Sequence, residues 1–139
     1  MCLTNESKSP PIKPQYENGE IVCWVIALNT GKRLRAPCAG TFYKIGKRMS
    51  SRDNYDNNSF FLGSRSAGRH GFIKKTDARK IALRACDLDN QPTDSFSIIR
   101  CLVRKDDIIT FGDTLFFSDN ETQFPSLRAK AMFYQKVVE

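Results

Sequence analysis

The run Glu20-Ile21-Val22-Cys23-Trp24-Val25-Ile26-Ala27-Leu28 has the length of one strand, is rich in β-branched residues, and does not alternate with polar positions. A strand that is apolar at successive positions has to be covered on both faces. The run therefore predicts the central strand of a sheet with material packed above and below it. Asn29-Thr30-Gly31-Lys32 closes the run as a turn, and Arg33-Leu34-Arg35-Ala36 follows as a hairpin partner interrupted at Pro37.

Working outward, Gly40 to Gly46 reads as a short strand around Phe42 and Tyr43. Residues 47–59 are polar and rich in Asn, Asp and Ser, which predicts a long loop. A glycine-rich stretch from Gly63 to Gly71 follows, carrying Arg65, Arg69 and His70 on what reads as an exposed loop. It lacks the Gly-Lys-Ser/Thr ending of a nucleotide P-loop. Ala78, Ile81, Ala82 and Ala85 then recur at helical spacing behind Thr76 and Asp77, predicting a helix over about 76–86 with Thr76 as its cap. Phe96 to Arg104, Ile108 to Phe111, Thr114 to Phe117 and Lys130 to Val138 read as strands. The expected fold is one α+β domain over 20–139, an antiparallel-dominated sheet with one main helix, preceded by a flexible polar arm over 1–19.

The charge is unevenly placed. The chain carries +7 overall, but residues 32–84 hold fourteen Lys and Arg against Asp53, Asp56 and Asp77, a net of +11, and the rest is −4. Phe42, Tyr43, Tyr55, Phe60, Phe61 and Phe72 are interleaved with those cations. Guanidinium forks for phosphate and ring faces for a base are thus concentrated in one segment. The residues expected to bind such a ligand are Tyr43, Lys44, Arg48, Arg65, Arg69, His70, Phe72 and, from the later strand, Arg100. The same basic segment would equally suit a nucleic acid or an acidic protein, and both stand as the alternative.

Other chemistry is poorly represented. The five cysteines at 2, 23, 38, 86 and 101 include no Cys-x-x-Cys pair, and His70 is the sole histidine, so no metal site or cofactor is expected. There is no Gly-x-Ser-x-Gly elbow and no His-Glu-x-x-His, so the chain is read as a non-enzyme with no catalytic residue. No apolar run has the length of a membrane span, and the N-terminus lacks an apolar signal core. Those features predict a cytoplasmic protein.

Four short motifs also follow one another in a familiar order: Phe42-Tyr43-Lys44-Ile45-Gly46-Lys47, Gly71-Phe72-Ile73, Thr76-Asp77-Ala78, and Ile99-Arg100-Cys101-Leu102-Val103. This succession resembles small phage-encoded α+β proteins, with the Thoeris-inhibiting sponges the first group for comparison. The chain departs from that pattern at Ile73-Lys74-Lys75, where a second aromatic is usual. The resemblance implies a homo-oligomer that sequesters a nucleotide-type immune signal in the host cytoplasm without cleaving it.

Overall fold

The computed structural model describes residues 3–36, 42–50, 68–88, 92–116 and 119–139. Among these residues the chain is sheet-dominated, with one α-helix. Eleven strands share one sheet, and every pairing in it is antiparallel. In chain order they are β1 (Leu3–Ser7), β2 (Gln15–Glu17), β3 (Glu20–Thr30), β4 (Arg33–Arg35), β5 (Phe42–Tyr43) and β6 (Lys47–Ser50). Then come β7 (Arg69–Phe72), the helix α1 (Lys75–Leu88), β8 (Phe96–Val103), β9 (Ile108–Phe116), β10 (Asp119–Ala129) and β11 (Ala131–Val137). The main path across the sheet runs β1-β9-β10-β7-β3-β8-β11-β6.

The apolar run does lie at the centre. β3 pairs with β8 from Ile21↔Val103 to Leu28↔Phe96, and its residues from Ile21 to Ala27 are all buried. Alternate side chains separate into two cores, as the two-residue period of a strand requires. Cys23 and Val25 join Ile99, Cys101, Leu127, Met132 and Tyr134 on the inner face. Val22, Trp24 and Ile26 join Phe72, Ile98 and Leu102 on the outer face, beneath Ala78, Ile81 and Ala82 of α1. Small alanines at the contact let the helix axis approach the sheet closely.

The sheet also closes on itself. Lys130 alone separates β10 from β11, yet β7, β3 and β8 lie between them in the sheet order. In a flat sheet those two strands would stand roughly 19 Å apart, at about 4.8 Å per step. One linking residue spans far less, so the sheet must curl until the end of β10 meets the start of β11.

Several expectations are corrected here. Residues 3–17 are not a loose arm: β1 pairs with β9, β2 pairs with β3, Ile12 packs on the inner core and Pro14 is buried. Residues 47–50 of the expected loop are strand β6, held against β11 by register pairs such as Phe133↔Arg48, and the remainder of that loop lies outside the described residues. Arg69 and His70 sit in strand β7 instead of an exposed loop, and Gly71 marks a close approach of the Cys23 side chain and not a turn. A Cβ at Gly71 would come 2.7 Å from Cys23 Sγ. Ile108 to Phe116 is one strand instead of two, and β10 fills a stretch with no sequence assignment. The helix opens at Lys75, so Thr76 is inside its first turn and does not cap it.

Candidate functional site

The structure places six of the eight expected contacts in three groups. Tyr43 and Arg69 meet on the inner side at Tyr134. The Tyr43 and Tyr134 rings lie 4.7 Å apart between centroids, and Arg69 Nη1 donates to the Tyr134 hydroxyl at 3.0 Å. Arg69 Nη2 also donates to the Ser50 carbonyl at 2.9 Å. Because Arg69 pairs with Ala129 and Ser50 pairs with Ala131, this guanidinium bridges the point at which the sheet closes. Arg69 is 9% exposed, which corrects its reading as a solvent-facing loop residue. Burial pushes the Tyr134 phenol well above its ordinary range.

Arg48 and Arg100 lie on the outer side, each facing carboxylates of the chain itself. Arg48 Nη2 donates to Glu20 at 2.8 Å, with Asp107 4.0 Å from its other nitrogen, and its guanidinium stands 5.7 Å from the centre of the Phe133 ring. Arg100 donates to Gln135 and, at 3.3 Å, to Glu17. That hydrogen bond and charge hold the Glu17 carboxyl below its usual range. These arginines are thus neutralised across strands by acids distant in sequence.

His70 and Phe72 point to the outer face of β7. Phe72 is 4% exposed in the core under α1. Burial, with the charge of Arg128 as a smaller cause, drives the His70 imidazole down to a pKa of about 3. It is therefore a neutral, half-buried ring near pH 7 in a strand instead of an exposed loop residue. Lys44 is exposed in the turn after β5, and Arg65 lies outside the described residues.

A different set of residues forms a concave site. Where the N-terminal segment crosses the starts of β3 and β9, a groove of about 270 Å³ is lined by Lys8, Pro10, Tyr16, Ile21, Lys105 and residues Ile108 to Phe111. Tyr16 and Ile21 are cross-strand neighbours in the β2–β3 pair. Ile21 and Phe111 belong to the inner core, and Ile108 packs against it, so the groove floor is an extension of that core. The rim is cationic. Lys8 Nζ donates to the Ile109 carbonyl at 3.2 Å, and Lys105 Nζ stands 5.5 Å from the centre of the Tyr16 ring. Tyr16 itself is 47% exposed and presents ring surface to solvent. No carboxylate is among the lining residues.

Such a set can hold an anion and a flat apolar group together: the ammonium ions attract the charge, and the ring and floor take the flat surface. Lys8, Tyr16 and Lys105 escape sequence reasoning because they carry no local motif. The available hint is that Tyr16 is the one aromatic residue before Trp24. Comparison with known proteins finds no matching family model, curated protein or solved structure, so the assignment rests on geometry. Among the described residues no group of His, Cys, Asp and Glu is placed to hold a metal ion, and no helix is long and apolar enough to cross a membrane.

Proposed function

We propose that the protein binds a small anionic, nucleotide-type molecule in the Tyr16 groove and retains it chemically unchanged. The observation that carries this reading is the gathering of Lys8, Tyr16 and Lys105 around an apolar floor, with no acid in the described lining. Two cations and an aromatic face complement a phosphate and a base. The described lining offers no imidazole, thiol or carboxylate to move a proton near neutrality, which favours retention over turnover. On this reading Arg48 and Arg69 serve the fold, since both are engaged within it. The biological role that fits is a sink for a nucleotide-type signal, as in the phage sponges that the sequence resembles, acting as a homo-oligomer in the host cytoplasm.

The test is isothermal titration with the four nucleoside 5′-monophosphates, followed by denaturation and chromatography of the released ligand. The expected result is saturable binding that Tyr16→Ala weakens, with the nucleotide recovered intact. Recovery of cleaved nucleotide would refute the sequestering role. Binding untouched by Tyr16→Ala would refute the site.

A further inference from the structure

Resting on the reading above, the geometry points to a narrower ligand class: one aromatic ring system bearing one phosphate monoester, to the exclusion of dinucleotides and polynucleotides. We infer this from the size of the groove and the charges in its lining. Its volume of about 270 Å³ falls just short of the range of about 300–1,000 Å³ that accommodates drug-sized ligands. It has room for one base-sized ring and a short charged tail.

The charge count agrees. A phosphate monoester carries about −1.5 to −2 near neutrality, and the rim supplies two ammonium ions, Lys8 and Lys105. The bond from Lys8 to the Ile109 carbonyl uses one of its three donors and anchors the nitrogen at the rim with two left for phosphate oxygens. Lys105 rests over the Tyr16 ring, a contact that can be exchanged for a phosphate while a base takes the ring face.

Beyond Lys8 and Lys105 the described lining holds no further cation, so a second phosphate group finds no ammonium or guanidinium in the groove to answer its charge.

Titration of the full chain with the four nucleoside 5′-monophosphates, the matching nucleosides, NAD and a dT12 oligonucleotide tests the inference. At least one monophosphate should bind once per chain, on the order of tenfold tighter than its nucleoside, NAD or the oligonucleotide. Lys105→Gln should remove most of the preference for the monophosphate over its nucleoside. Tyr16→Ala should weaken both. Tighter binding of NAD or dT12 than of every monophosphate, still sensitive to Tyr16→Ala, would overturn the single-phosphate assignment and leave the groove standing. Binding of none of the probes, or binding indifferent to both substitutions, would overturn the groove and the inference together.

Discussion

The Glu6 carboxylate lies 3.0 Å from the guanidinium of Arg128, whose side chain is 6% exposed, and this ion pair ties the first strand to the tenth. Beside it, Thr110 donates its hydroxyl to the Ser7 carbonyl at 3.0 Å, and Lys8 reaches the Ile109 carbonyl. Residues 6 to 8 thus hold the N-terminal segment where it forms one wall of the groove. Glu6→Gln weakens a charge-assisted contact at a buried cation and should cost about 1–3 kcal/mol. Amide hydrogen exchange should quicken along β9 near Phe111 and Asp113, and affinity for a groove ligand should fall although Glu6 is not in the lining. Unaltered exchange in β9 would show that β1 docks without this pair.

Arg69 offers a sharper contrast with the solvent-facing arginine expected from sequence. Arg69→Ala strips hydrogen bonds from the Tyr134 hydroxyl and the Ser50 carbonyl at the closure of the sheet. The expected loss is about 2–4 kcal/mol of stability. Urea denaturation measures it directly. A midpoint unchanged from the parent chain would show that the guanidinium does not bridge β7 to β6.

Gly71 tests how tightly β7 passes the central strand. Its missing side chain leaves room for Cys23 Sγ, Cys23 Cβ and Met132 Cε, which would lie 2.7, 3.2 and 3.4 Å from an added Cβ. Gly71→Ala should therefore cost about 1–3 kcal/mol through overpacking of the inner core. Cys23→Ala in the same chain removes the nearest sulfur and should recover part of that loss. Equal destabilisation with and without Cys23 would place the strain elsewhere.

What was legible in the sequence was what is local. The apolar run of β3 shows its two-sided burial because consecutive residues report on opposite faces, and Ala78, Ile81 and Ala82 show one helix face by their spacing. Arg69 and His70 read as a loop because their strand is four residues long, preceded by Gly68 and interrupted by Gly71, two glycines that serve close packing. The basic segment reads as a binding surface because acids answering it, Glu20, Asp107 and Glu139, lie outside it and meet Arg48, Lys75 and Arg79 only in the folded chain. Lys8, Tyr16 and Lys105 converge for the same non-local reason: β2 must pair with β3, and the turn before β9 must land beside them.

His70 gives the last prediction, in pH. Its pKa falls from 6.5 to about 3 on folding because burial disfavours the imidazolium. Between those values the unfolded chain binds a proton that the folded chain refuses, so stability rises with pH across the interval. The contribution is complete above 6.5 and is lost as pH falls toward 3. One proton sets the slope, at most about 1.4 kcal/mol per pH unit. His70→Leu keeps a half-buried side chain of similar size and removes the titration, along with a buried Nε2 that has no hydrogen-bond partner among the described residues. Stability at pH 7 should therefore be little changed, while the decline between pH 6 and pH 4 becomes shallower than in the parent chain. Denaturant titrations at a series of pH values read that slope. A parent and variant that lose stability in parallel would show that His70 charges freely in the fold, and its place beneath the outer face of β7 would have to be abandoned.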